Sequence, residues 1–239
     1  MTNDPKLSAG ATQLAQHIQS TLISNRLTES LWEEHVRQCR EYRFQACMIP
    51  AAWVKRTAEA LRGTGIHTAS FVDFPYGTTT SAGKAYETAR IVADGGEELD
   101  LMPNVGFLLS GMEKEYADDI RGVVEAAQGC PVKIMLELPL LNTAQRQRAI
   151  ELSIEAGVSY LKNASGGAVG VATPEDIRFL RRSAPAHVRV KASGGIKTEQ
   201  QVRELLAAGA DLVGTSAAVA IIKQARSERL PTKSAEVDY

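Results

Sequence analysis

The chain has 239 residues, 44% of them hydrophobic, enough to bury a substantial core and too apolar for disorder. With 27 Lys and Arg against 28 Asp and Glu, the formal charge is −1, so no basic excess points to nucleic acid or an anionic membrane, and a small-molecule partner is expected. Cys39, Cys47 and Cys130 are odd in number and lack C-x-x-C spacing, which argues against a disulfide framework or structural zinc and suits a reducing cytoplasm.

The opening MTNDPKLSAG carries no signal pattern, and no apolar run approaches the ~18–20 residues of a membrane span. From there β-like runs and helical stretches alternate: strand 17–22, helix 28–42, strands 44–49 and 67–74, helix 79–95, strand 99–104, helix 112–128. The second half continues with strand 131–138, helix 142–156, strand 158–164, helix 174–183, strand 187–193, helix 198–208 and strand 211–216. Thr, Ser or Asn opens several of the helices, and Ala-Gly or Gly-Gly closes those near 82–94, 144–156 and 199–208. Eight such strands with no G-x-G-x-x-G after the first predict an α/β fold of the single-domain (β/α)8 TIM-barrel type over 1–239. The barrel is placed at about 14–224, with a polar tail at 225–239.

Side-chain alternation assigns faces along each strand. It sends Leu99, Leu101, Val132, Ile134, Leu136, Leu138, Val188, Val190 and Ala192 outward. Asp100, Met102, Asn104, Lys133, Met135, Glu137, Arg189, Lys191 and Ser193 turn inward, with Lys162 on the same face as Tyr160. Cys47 is also placed inward, near the end of the second strand, as a packed thiol with no histidine beside it. Ionisable groups in a lumen are costly unless they pair or work. Asp100, Lys162 and Lys191 all fall toward the carboxyl ends of their strands, where such barrels hold their chemistry.

Two lysines on neighbouring strands disfavour double protonation, so one titrates low and becomes a nucleophile able to form a Schiff base. A nearby Asp100 can hold the other lysine charged and relay protons through water. Ser193-Gly194-Gly195 and Gly214-Thr215-Ser216 follow the seventh and eighth strands, where backbone N–H groups often cradle phosphate. The four histidines, His17, His35, His67 and His187, show no metal spacing, and no Gly-x-Ser-x-Gly or P-loop occurs, so neither metal nor cofactor is expected.

The segments FQACMIP, DFPYGTTTSAGKAYETARIVADGGEELDL, VKIMLEL, YLKNASGG, VKASGGIKT and GTSAAVAI resemble, in order, those of the deoxyribose-phosphate aldolase family. The resemblance runs from about 14 to 224 and implies a class I, Schiff-base aldolase, a lyase that joins acetaldehyde to glyceraldehyde 3-phosphate or cleaves the product. It implies Lys162 as the Schiff-base lysine, Lys191 as the second lysine that lowers its pKa, and Asp100 as the acid/base carboxylate. It also implies phosphate contacts at Gly194, Gly195, Ser216 and Ala217, pocket positions at Thr21 and Cys47, and a homodimer. Some members use a C-terminal tyrosine in proton transfer, and this chain ends in Tyr239.

The chain departs from the family pattern at Gln19, where a carboxylate is usual, and at Asn163-Ala164-Ser165-Gly166, where Thr-Ser-Thr-Gly is usual. Gly167 stands where many members carry a lysine or an aromatic residue, and Pro103 is unusual. These departures predict lysine chemistry kept but an altered pocket, with Asn163 and Ser165 shaping it. Two further readings stay open: a related Schiff-base aldolase with another aldehyde donor or acceptor, and a phosphate-ligand-binding barrel without turnover.

Overall fold

The computed structural model describes residues 9–227. Eight parallel strands close a barrel in chain order: β1 (Ile18–Thr21), β2 (Ala46–Met48), β3 (His67–Val72), β4 (Glu98–Leu101), β5 (Val132–Met135), β6 (Tyr160–Lys162), β7 (Arg189–Ser193) and β8 (Leu212–Thr215). β8 pairs back onto β1, so the sheet has no open edge. Around it lie α1 (Ala9–Ala15), α2 (Glu29–Tyr42), α3 (Val54–Leu61), α4 (Ser81–Ala93), α5 (Val105–Leu109), α6 (Glu113–Ala126), α7 (Thr143–Glu155), α8 (Pro174–Ser183), α9 (Glu199–Ala207) and α10 (Ala218–Ser227). Among the described residues no helix is long and apolar enough to cross a membrane.

All eight expected strands are present, and the outward set forms the layer between sheet and helices. Leu99, Leu101, Val132, Ile134, Val190 and Ala192 are fully buried there, each large aliphatic side chain stabilising the fold by about 1.5–3 kcal/mol. Local chemistry sets the helix ends. Capping boxes open α7 (Asn142 with Gln145) and α9 (Thr198 with Gln201). Thr173 caps α8 just ahead of Pro174, which is already fixed in helical φ. Gly157, at φ 94°, takes the left-handed turn that lets α7 run into β6.

Several boundaries differ from the sequence expectation. β4 stops at Leu101, because Pro103 cannot continue a ladder and Asn104 turns its side chain back to accept from the Phe107 N–H, capping α5. Asn104 is therefore a cap rather than an inward strand residue. β5 stops at Met135, since Glu137 adopts a left-handed conformation at φ 53°. α3 and α10, which carry no sharp sequence signal, complete the alternation, and α10 runs to Ser227, past the expected barrel limit at 224.

Cys47 needs a correction. In the β1–β2 register, Gln19 faces Ala46 and Thr21 faces Met48, and these point into the lumen; Cys47 pairs with Ser20 on the opposite face. Ala46, Met48 and Ala69 form the apolar lumen cluster, with Phe71 packed against it, while Cys47 belongs to the outer core. A three-residue strand offers too little alternation for parity to be read from sequence.

Candidate active site

The lumen opens at the carboxyl ends of the strands into a cavity of about 650 Å³, lined among others by Thr21, Asp100, Lys162, Ser165, Lys191 and Ser216. Lys162 on β6 and Lys191 on β7 are partners in register, so their side chains rise in parallel from adjacent strands. One carboxylate oxygen, Asp100 Oδ2, accepts from both: 2.8 Å from Lys162 Nζ and 2.6 Å from Lys191 Nζ. Lys162 is 5% exposed and Lys191 1%, so Lys162 is the more open to the cavity. Gly214 makes room for Lys191: a Cβ there would stand 3.0 Å from its Cε.

Below this triad the lumen stays polar. Lys133 lies 2.7 Å from Glu98 and 3.5 Å from Asp100. Gln19 presents its carbonyl to Lys191 Nζ at 2.5 Å and its amide to Glu98 at 2.7 Å and Gln45 at 2.7 Å. His67, at the amino end of the barrel, reaches Glu98 at 2.5 Å. A chain of contacts thus runs from His67 through Glu98 and Gln19 to Lys191, Asp100 and Lys162. Sequence parity had turned Lys133 inward without a task; its task is to neutralise Glu98 beneath the triad.

Three ammonium groups, on Lys133, Lys162 and Lys191, face two carboxylates, on Glu98 and Asp100, and the imbalance shows in the titration. Burial disfavours an ionised Asp100, yet the Lys162, Lys191 and Lys133 charges override it and hold the carboxyl far below the usual range. Glu98 is likewise disfavoured by burial and depressed by Lys133 and His67. Burial lowers Lys133, but Glu98 and Asp100 more than offset it and raise the group. Lys191 carries the deficit: burial, opposed by Asp100 and reinforced by Lys162 and Lys133, brings it down to about 7. Gln19 gives Lys191 a dipole where a carboxylate would give a full charge, and so leaves it low.

Two glycine-rich loops build the rim. Gly194, at φ 114°, lies so close to the Gly170 carbonyl that a Cβ would stand 2.3 Å from its oxygen. The Ala172 N–H donates to the Gly194 carbonyl at 2.9 Å, and a Cβ on Gly167 would stand 3.2 Å from Gly195 N. The loop after β6 therefore packs backbone to backbone on the loop after β7, with Gly167 against Gly195 and Gly170 against Gly194. Gly194, Gly195 and Ser216 line the cavity, and the N–H groups of Gly195 and Ser216 have no protein acceptor among the described residues. The Ala217 N–H is taken by Thr215 Oγ1 at 2.9 Å, so it is not a free donor as expected. Lys197 adds a cation at the same rim that the sequence reading did not single out.

Asn163 and Ala164 do not line the cavity. The Asn163 amide donates to the Ser193 carbonyl at 3.0 Å, and its oxygen accepts from the Ser193 N–H at 2.8 Å, clamping the end of β6 to the end of β7. Ala164 is fully buried. Asn163, expected to reshape the pocket, instead braces the strand ends that carry its rim. Ser165 does line the cavity, and its N–H donates to the buried Glu137 carboxylate, a contact absent from the sequence reading. Thr21 lines the cavity as expected, beside its register partner Met48, which with Phe71, Phe74 and Met135 forms an apolar wall. Tyr239 lies outside the described residues. The three metal-ligating side chains that converge among the described residues, His35, Cys39 and Cys47, do so away from this cavity.

No family model matches the chain. Among curated proteins, deoxyribose-phosphate aldolases of Bacillus cereus and Bacillus anthracis are each 38% identical to it over 210 residues, 87% of this chain and 94% of theirs. Among solved structures, the tetrameric deoxyribose phosphate aldolase from Aeropyrum pernix superposes with a TM-score of 0.84 at 29% identity, covering 91% of this chain and 93% of that one.

Proposed function

We propose, from the premise that the chain belongs to the deoxyribose-phosphate aldolase family and is an aldehyde-lyase, that it cleaves or forms 2-deoxyribose 5-phosphate through a Schiff base on Lys162. The observation that carries this is a single carboxylate oxygen shared by two buried lysines, one of them held near neutrality. Lys191, held at about 7, is the lysine that gives up a proton near neutral pH. Attack on a carbonyl needs the free Lys162 amine, and Asp100 Oδ2, in contact with both nitrogens, is placed to pass a proton from Lys162 to Lys191.

The Lys162 Nζ lone pair attacks the aldehyde carbon, the carbonyl π pair goes to oxygen, and that oxygen takes up a proton. Loss of water gives the protonated imine. Asp100, with Lys191 and a water, removes a proton from the adjacent methyl to give the enamine. Asp100 Oδ1 is turned to Lys133 Nζ at 3.5 Å, which keeps the carboxylate charged while Oδ2 faces the two lysines. The enamine carbon attacks the aldehyde carbon of glyceraldehyde 3-phosphate, whose oxygen is protonated, and hydrolysis returns Lys162 and releases the sugar phosphate.

The apolar wall of Met48, Phe71, Phe74 and Met135 suits the small acetaldehyde carbon skeleton. The phosphate is assigned to the opposite rim, on the Gly195 and Ser216 N–H groups, the start of α10 and Lys197. Lys197 supplies there the cation that Gly167 does not. No separate cofactor takes part in these steps. The free thiols of Cys39, Cys47 and Cys130 suit a cytoplasmic enzyme, and a homodimer is the proposed assembly, checked by light scattering. The test of the reaction is cleavage of 2-deoxyribose 5-phosphate with release of acetaldehyde. Turnover that falls at least tenfold in Lys197→Ala, chiefly through KM, supports the reading; no acetaldehyde release overturns the assigned substrate.

A further inference from the structure

On the outer side of the β2 wall, away from the lysines, a second cluster of chemically active side chains is fully enclosed. His35 and Cys39 lie four residues apart on α2 and so share one helix face. Cys47 meets them from the outer face of β2. One ligating atom from each of the three lies within 4.8 Å of the others, and His35 Nε2 is 3.9 Å from Cys39 Sγ. Ser20, in register with Cys47 on the neighbouring strand β1, stands on the same outer face. All four side chains are buried.

We propose that His35, Cys39 and Cys47 form a binding site for a thiophilic d10 cation of the zinc class, with the Ser20 hydroxyl completing a fourth position. Zinc–sulfur bonds of about 2.3 Å and zinc–nitrogen bonds of about 2.0–2.1 Å place tetrahedral ligand atoms roughly 3.3–3.8 Å apart. From a widest separation of up to 4.8 Å, the three side chains therefore need to draw together by about 1–1.5 Å at most. Two thiolates balance one Zn²⁺, so the loaded site carries no net charge, which suits a wall that cannot solvate one. Binding sends the two thiol protons to solvent, and His35 coordinates in its neutral form. Sulfur and imidazole donors disfavour Mg²⁺ and Ca²⁺. Neither histidine pairs nor C-x-x-C spacing reveals this set, because only the barrel topology joins an H-x-x-x-C helix face to a cysteine on the neighbouring strand.

The site ties α2 to β2 and β1. Thr21 and Met48 on those two strands line the lysine cavity, so a bound cation stiffens that wall from behind. None of its ligands contacts Lys162, Lys191 or Asp100, and the site stands or falls independently of the aldolase reading.

The full chain, stripped with a chelator under reducing conditions, is titrated with Zn²⁺ and, as a spectroscopic probe, with Co²⁺. One Zn²⁺ per chain retained through gel filtration, a thiolate-to-cobalt charge-transfer band and a raised Tm are expected. All three are lost in Cys39→Ala, while deoxyribose-phosphate cleavage stays within twofold. Should Cys39→Ala fail to fold, His35→Gln gives the same readouts without emptying core volume. Absence of stoichiometric Zn²⁺, or equal retention in both variants, overturns the proposal. A Cys39–Cys47 disulfide that takes up no cation after reduction overturns it as well.

Discussion

Lys162 and Lys191 differ in where they point their ammonium groups: both contact Asp100, but only Lys191 is also held by Gln19. That one contact makes Gln19 the residue that sets the charge balance of the lumen. Gln19→Glu puts a carboxylate oxygen where the Gln19 carbonyl stands 2.5 Å from Lys191 Nζ, and a nearby negative charge favours the protonated lysine. Because Lys191 sits at about 7, it is protonated below that pH and neutral above it. The variant therefore moves the acid limb of the pH profile of kcat/KM to higher pH by about 1 unit or more, a shift read directly from steady-state rates between acid and alkaline pH. An unmoved limb would mean that Gln19 only spaces the lysines. The departure at this position was visible in the sequence, but its effect was not, because Glu98 and Lys191 become its neighbours only when β1, β4 and β7 face a common lumen.

Between elements, the loops after β6 and β7 behave as one unit. Asn163 pins both backbone groups of Ser193, and Gly167 and Gly170 pack on Gly195 and Gly194. Asn163→Ala removes two buried hydrogen bonds and strands the Ser193 N–H and carbonyl, a loss of roughly 2–4 kcal/mol. Urea unfolding measures the loss, and a rise in KM for the phosphorylated substrate accompanies it because the Gly194-Gly195 turn follows directly. Gly194→Ala acts on the same turn through strain at positive φ and a clash with the Gly170 carbonyl, costing about 1–3 kcal/mol. The helix caps and the C-terminal glycines were readable in the sequence, since each depends on residues three or four apart. The Asn163 clamp, the Glu137 contact to Ser165 and the outward turn of Cys47 were not, because each depends on a partner in another strand or on the register of a three-residue strand.

Across the whole barrel, parity and βα punctuation were enough to place eight strands in order and to bring Asp100, Lys162 and Lys191 to one end. The polar floor beneath them needed the closed topology. Glu98 and Asp100 are held far below the ordinary carboxylate range, so they add stability at pH above about 4 and lose it as the pH falls toward their folded values. Acid unfolding monitored by circular dichroism should therefore begin below about pH 4–5. Lys133→Met leaves Glu98 buried with one fewer cation and should destabilise the fold by about 3–5 kcal/mol at neutral pH, while weakening that acid dependence. The claim on which all of this converges is that Lys162 is the nucleophile. Incubation of the full chain with acetaldehyde and borohydride, followed by peptide mapping, should find a gain of about 28 Da, one ethyl group, on Lys162, and no such adduct in Lys162→Ala. An adduct on Lys191 instead, or none with any small aldehyde, would contradict it.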